Sequence, residues 1–166
     1  MTQAHQEPRH GHDHQAHGGY GRFAAMIAVS TVVMYGLMYL NTYALDHVTF
    51  SETRAYMALV MGATMAAIML AFMLHMHRNA RANAAIFAGS AIVFAVSLWL
   101  VRSQVTVDDL SYMRAMIPHH SIAIMTSERA RITDPRVRKL ADGIIAAQKK
   151  EIAEMKEYIR DLEGRR

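Results

Sequence analysis

The chain has 166 residues, a formal net charge of +4 and 52% hydrophobic residues, which suits one ordinary domain except that the apolar residues are concentrated in three runs. It contains 14 Met, 10 His and no Cys. The absence of cysteine excludes disulfides, cysteine-ligated zinc and cysteine nucleophiles, so any soft-metal chemistry must use Met and His.

Residues 1–21 contain five His among Gly, Gln and Pro and show no apolar periodicity, so we expect a disordered tail. Its imidazoles suit loose chelation of a divalent metal, but a flexible polar tail explains the same composition equally well. The histidines concerned are His10, His12, His14 and His17.

Three long segments without any charged residue follow, and we predict that each crosses a membrane as a helix. They cover residues 23–40, 56–74 and 84–101, and about 18 residues of helix are enough to cross hydrocarbon. Tyr43, Tyr56 and Trp99 lie near their ends, where amphipathic rings favour the headgroup level. A soluble bundle is the weaker alternative, because apolar runs in buried core helices usually extend only about 10–14 residues.

The short connections indicate the orientation. Residues 75–83 carry two Arg and no acid, whereas residues 41–55 carry one Arg against Asp46 and Glu52. Because positive loops tend to stay in the cytoplasm, we expect a bacterial inner-membrane protein with a cytoplasmic N-terminus and a periplasmic C-terminal domain. A cleaved signal peptide is the competitor, although the first apolar run is longer than a usual signal segment.

The second span carries thioethers at a strict four-residue step, at Met57, Met61, Met65, Met69 and Met73. Such a step makes one slowly drifting stripe on a helix. A ladder for Cu(I) is one interpretation, but ordinary packing is favoured because Met is a common apolar filler and small residues around Gly62 suit helix packing. His75 and His77 follow at the membrane edge, either extending a metal path or acting as interfacial histidines.

Residues 102–166 carry 13 Lys/Arg and 10 Asp/Glu, which predicts a water-exposed domain over 103–166. Charges of both signs share its helical faces, so we expect no nucleic-acid partner. One helix, capped by Asp108 or Asp109, runs to about Arg131, and Asp134 caps a second that starts at Pro135. The short turn between them predicts a helical hairpin.

The first helix of this hairpin carries "MRAMIPHHSIAIM" at 113–125. At 100° per residue Met113, Met116 and His120 fall within about 60° of one another, with His119 about 60° beyond Met116. Met125 falls on the opposite side. The first four side chains are therefore candidate metal ligands.

The second helix places Gln148, Glu151 and Met155 on or beside its apolar face. Folding the hairpin brings both histidines near Gln148 and the two methionines near Glu151 and Met155. Thioether and imidazole donors favour soft Cu(I), whereas harder divalent ions favour carboxylates or several imidazoles. The predicted site is a copper site.

Pro118 lies inside the first helix, where it removes one backbone hydrogen bond and leaves the carbonyl of Arg114 free. A purely structural role remains the alternative for the Met and His residues, since both types also occur as buried packing. Adjacent histidines point about 100° apart, so both cannot face one core centre.

The segments "MRAMIPHHSIAIM" and "DPRVRKLADGIIAAQKKEIAEM" resemble the domain of unknown function 305 family over roughly 108–162. The resemblance implies a ferritin-like helical bundle, often exported, with copper binding or copper tolerance in some relatives. It points to Met113, Met116, His119, His120 and Met155, and Gln148 and Glu151 fall in its "AQ..EI" segment. Larger members carry the hairpin twice, whereas this chain carries it once, so we expect dimerisation to complete a four-helix bundle.

We therefore expect a homo-oligomeric membrane protein whose hairpin binds copper, as Cu(I), for storage, buffering or handover to copper-handling proteins. A non-metal module whose hairpins only hold the membrane parts together is the alternative. We do not expect an enzyme, because the chain lacks Glu-x-x-His, His-Glu-x-x-His and cysteine signatures.

Overall fold

The computed structural model describes residues 13–165 of the chain, with side chains from Gly19 onward. The regular elements in this part are all helical, which confirms the predicted all-α class. They are α1 (Asp13–Leu37), a 3₁₀ turn (Leu45–His47), α2 (Glu52–Met73), α3 (Ala80–Ser103), α4 (Asp109–Arg129) and α5 (Pro135–Gly164).

Three helices are long and apolar enough to cross a membrane, and they agree with the predicted spans to within a few residues. They are Gly19–Leu37 of α1, all of α2 and all of α3. Large apolar side chains remain uncovered on their outer surfaces, with Phe72 79% and Val32 71% exposed. Such surface is unfavourable in water and is compatible with a hydrocarbon environment.

Small residues of α2 bring α1 and α2 close together. Ala58, Gly62, Ala63 and Ala66 are buried, and a Cβ built on Gly62 would lie 2.3 Å from the Thr31 Oγ1 of α1. The expected packing through small residues is thus present, and side-chain volume at Gly62 is limited by its neighbour.

The N-terminal end of α1 extends into the segment that the sequence predicts to be disordered. The helix begins at Asp13, so the main chain of His14 and His17 lies within it. The side chains of these two residues are not among those that the structure describes. His10 and His12, the other two predicted chelators, lie outside the described residues.

Polar side chains begin each of the later helices. Ser51, Asn79, Asp108 and Asp134 accept hydrogen bonds from main-chain N–H groups in the first turns of α2, α3, α4 and α5. Pro135 occupies the start of α5, where a main-chain N–H would have no acceptor within the helix, so its absence breaks no hydrogen bond. Asp108, rather than Asp109, caps the first hairpin helix.

The helices α4 and α5 form the predicted antiparallel hairpin. Lys149 pairs with Glu128 close to the turn, and Arg114 pairs with Glu163 at the open end. The two helices share one apolar core, made of Leu110, Met113, Ile117, Ile124, Ile152 and Met155. This core holds the two helices in the register that sets the geometry of the candidate site.

Candidate functional site

A contact between His120 and Glu151 joins the two helices of the hairpin. The His120 Nε2 lies 3.3 Å from the Glu151 Oε2. Burial lowers the pKa of the His120 ring below its ordinary value, more than the nearby Glu151 carboxylate raises it. The ring is therefore neutral near pH 7, and its Nε2 lies beside the carboxylate.

The other ring nitrogen of His120, Nδ1, is buried and has no hydrogen-bond partner among the described residues. In the neutral tautomer with its proton on Nε2, towards the Glu151 carboxylate, Nδ1 carries an unshared electron pair. An imidazole with one nitrogen beside a carboxylate and the other free is common among histidines that ligate metals.

Glu151, three positions after Gln148, lies beside His120. The offset of this contact from the level predicted by the turn has a geometric cause, because side chains on a helix lean towards its N-terminus. In an antiparallel hairpin both partners lean towards each other's level, so their tips meet although their Cα atoms are offset. Gln148 is half-buried.

Three of the predicted thioethers belong to the hairpin core or its edge. Met113 and Met155 are 8% and 9% exposed, and both line a groove of about 590 Å³ at the open end of the hairpin. Met116 is half-buried and packs against the same core. The register of the His120–Glu151 contact places Met116 and Met155 one helical turn, about 5 Å, along the hairpin from it.

His119 diverges from His120, as the helical arithmetic predicts. Its side chain is exposed, and its ring meets the His120 ring edge-on with 5.9 Å between centroids. Met125 is half-buried and lies outside the core cluster. The candidate donors are therefore the imidazole of His120 and the neighbouring thioethers of Met113, Met116 and Met155.

Carboxylates and imidazoles form pairs, but no larger cluster, in the described chain. Among residues 19–165, the hairpin included, no three or more His, Asp or Glu side chains are grouped so as to hold a metal ion. In the hairpin, His120 and Glu151 form one such pair. Thioethers are the remaining donors beside them.

The carbonyl that Pro118 frees is occupied by another part of the molecule. Thr49, in the loop between α1 and α2, donates its hydroxyl to the main-chain oxygen of Arg114. The freed acceptor was predicted from the proline alone, whereas its donor comes from 65 residues earlier in the chain. Pro118 thereby makes α4 a docking surface for this loop.

Ser121 is the centre of the same docking contact. It is fully buried at 0% exposure, accepts from the Tyr43 N–H at 2.7 Å, and pairs with the His47 Nδ1 at 2.9 Å. Ser121 was not among the residues predicted from the sequence. The available signal was a hydroxyl at the spacing of Ile117 and Ile124 on the apolar face of α4.

Charged contacts complete the docking of the loop on the hairpin. Lys156 of α5 pairs with Asp46 at 2.6 Å, and the Ser111 hydroxyl of α4 donates to the Glu52 carboxylate at 3.1 Å. The loop between α1 and α2 and the whole hairpin therefore lie at the same end of the three apolar helices. The turn between α2 and α3 lies at the other end.

These features define an all-helical protein in which three membrane-length helices carry a helical hairpin. The family model "Domain of unknown function (DUF305)" matches residues 108–166. An uncharacterized protein of Acanthamoeba polyphaga mimivirus is 32% identical over 138 residues, which are 79% of this chain and 89% of that protein. No solved structure matches the chain. The chain belongs to the DUF305 family, and the match begins at the Asp108 that caps α4.

Proposed function

We propose that the hairpin binds copper as Cu(I), for storage, buffering or handover in copper homeostasis, and that the protein is a binding protein rather than an enzyme. The observation that carries the proposal is the His120 ring. Its Nε2 lies 3.3 Å from the Glu151 carboxylate and its Nδ1 is buried without a hydrogen-bond partner, one turn from the half-buried Met116.

The donor set supports a soft monovalent ion. One imidazole nitrogen and thioether sulfurs suit Cu(I), whereas divalent ions favour more nitrogen and oxygen donors. In this proposal the ligands are His120 through Nδ1, with Met116 and Met155 on the adjoining turn and Met113 beyond them. Glu151 is a positioning residue that orients the ring, and the exposed His119 is outside the site.

The orientation of the protein in the membrane is also part of this proposal. The hairpin and the acidic loop before α2 share one end of the apolar helices, and Arg78 and Arg81 lie at the other end. Positive charge favours the cytoplasmic side. We therefore place the hairpin in the periplasm of a bacterial inner-membrane protein, where copper-handling proteins would exchange the ion with it.

A second copy of the chain would cover apolar surface that the hairpin leaves open. Val137, Leu140 and Ile144 are 48%, 64% and 36% exposed and follow one another at helical spacing on α5. Two hairpins packed along this stripe would make the four-helix bundle expected for the family. The proposed functional unit is a homodimer.

The test is a Cu(I) titration of the full chain in detergent micelles against a chromogenic competing chelator. His120→Gln keeps a donor at the position of Nε2 but removes Nδ1, and we expect it to weaken Cu(I) binding at least about tenfold. His119→Gln is the matched control and should stay within about twofold. Equal affinity in both variants would show that His120 is not a ligand.

A non-metal assembly module is the second candidate, favoured by the apolar stripe of α5 and by the place of Met113 and Met155 in the core. It predicts no saturable Cu(I) binding by the wild-type chain together with a dimer in micelles. Leu140→Glu should then dissociate the dimer, as measured by sedimentation or light scattering, while Lys139→Glu should not. Reporter fusions after Arg166 test the topology separately, since a cytoplasmic signal contradicts the periplasmic assignment.

A further inference from the structure

A second buried histidine lies at the end of the apolar helices opposite the hairpin. His77, in the turn between α2 and α3, is only 6% exposed. It lines a cavity of about 500 Å³ whose wall also contains Met26 of α1 and Met73 and Met76 of α2 and its turn. Three thioethers and one imidazole thus border the same space, outside the family domain at 108–166.

The hydrogen bonds of His77 identify its protonation pattern. The Nδ1 atom lies 3.2 Å from the main-chain oxygen of Met73, and a carbonyl oxygen can only accept. Nδ1 therefore carries the proton, and Nε2 holds an unshared pair. That Nε2 is buried and has no hydrogen-bond partner in the described chain.

The ring is held in place from several sides. Tyr20 and Phe23 of α1 contact it edge-on, at 4.7 and 5.7 Å between centroids. Asn83 of α3 donates to the His77 carbonyl at 2.7 Å and accepts from the Tyr20 hydroxyl at 2.8 Å. These polar groups of Asn83 and Tyr20 are therefore engaged in hydrogen bonds, whereas the His77 Nε2 is not.

We propose that this cavity is a second soft-metal site, which takes a monovalent thiophilic ion, Cu(I) or its analogue Ag(I). The ligands are the His77 Nε2 and the thioethers of Met73, Met76 and Met26. The Met73 carbonyl accepts from Nδ1 and thereby fixes the tautomer in which Nε2 is free to bind the ion.

The charge around the cavity favours a monovalent ion over a divalent one. Arg22 and Arg78 also line it, and both side chains are exposed. Their repulsion is screened by solvent, but it acts twice as strongly on a divalent cation. Thioether donors also discriminate against hard divalent ions. Met73 is in addition the last member of the methionine stripe of α2.

The test uses Ag(I), which does not change oxidation state, titrated into the full chain in detergent micelles by calorimetry. His77→Asn keeps a donor near the position of Nδ1 and removes Nε2. We expect it to lose one Ag(I) equivalent per chain relative to wild type. His75→Asn, at an exposed neighbouring histidine, is the matched control and should lose none. The tail histidines are identical in all these proteins, so differences arise at the substituted residue.

A second variant covers the case in which His77→Asn unfolds. Replacing both Met73 and Met76 with Leu conserves volume but removes two thioethers, and we expect at least about tenfold weaker Ag(I) binding at this site with unchanged thermal stability in the absence of Ag(I). Addition of Ag(I) to wild-type protein should also shift the ¹⁵N resonance of the His77 Nε2. Unchanged stoichiometry and affinity in these variants, or an unmoved resonance, would overturn the proposal.

The two metal proposals fail independently. His120→Gln removes the hairpin ligand and should leave the Ag(I) equivalent assigned to His77 in place. Conversely, His77→Asn should leave Cu(I) binding by the hairpin unchanged. A protein that loses both sites in either variant contradicts the assignment of two separate sites.

Discussion

Removing the Ser121 hydroxyl should release the loop between α1 and α2 from the hairpin. Ser121 is fully buried and binds both the Tyr43 N–H and the His47 Nδ1. Ser121→Ala deletes the shared partner of these two groups without adding volume. Both groups are then left to find water or remain unpaired inside the contact.

The magnitude follows from the two hydrogen bonds. Each contributes about 1 kcal/mol, so their loss should weaken docking by about 2 kcal/mol. Since about 1.4 kcal/mol is a factor of ten, the open form of the contact should become about thirtyfold more populated. The Lys156–Asp46 ion pair remains but is partly exposed, and it offsets little of the loss.

Hydrogen exchange reports this opening directly, because the Tyr43 amide donates one of the two hydrogen bonds. Its exchange rate in the full chain should rise about thirtyfold in Ser121→Ala when exchange is limited by the opening equilibrium. Thr126→Ala is the control, since its exposed hydroxyl bonds only to carbonyls of its own helix. A Tyr43 amide that exchanges equally in wild type and Ser121→Ala would refute the docking argument.

Three further predictions concern the loop and the apolar helices. Burial lowers the pKa of His47 below its ordinary 6.5, so the docked loop favours the neutral ring. Docking should therefore be complete above pH 6.5 and weaken as the pH falls below 6.5, which hydrogen exchange of the loop amides between pH 7.5 and 5 would reveal. Thr49→Val leaves the carbonyl freed by the proline without its donor and should lower stability by about 1–3 kcal/mol, seen as a reduced melting temperature. Gly62→Ala should lower the free energy of unfolding by about 1–3 kcal/mol, because the added methyl group collides with Thr31. Thr31→Ala should relieve this loss, and Gly89→Ala, in open space, should not show it. Equal melting temperatures for both glycine variants would contradict the close contact.

Local features that depend on one helix were predictable from the sequence. The apolar spans, a cap at Asp108 or Asp109, the Asp134 cap, and the carbonyl freed by Pro118 each follow from residues within a few positions of one another. The divergence of His119 from His120 was predictable as well, since it depends only on the rotation per residue.

The sequence by itself determined the kind of molecule: three apolar helices, then a hairpin with Met and His on one helical face. Only the tertiary structure decided that Glu151 lies beside His120, because that contact depends on the lean of side chains from two helices. It alone also joined Thr49 to Arg114 and buried His77 against α1. Periodicity specifies which face of a helix a residue occupies, whereas its partner depends on how distant segments pack, and sequence spacing carries no record of that.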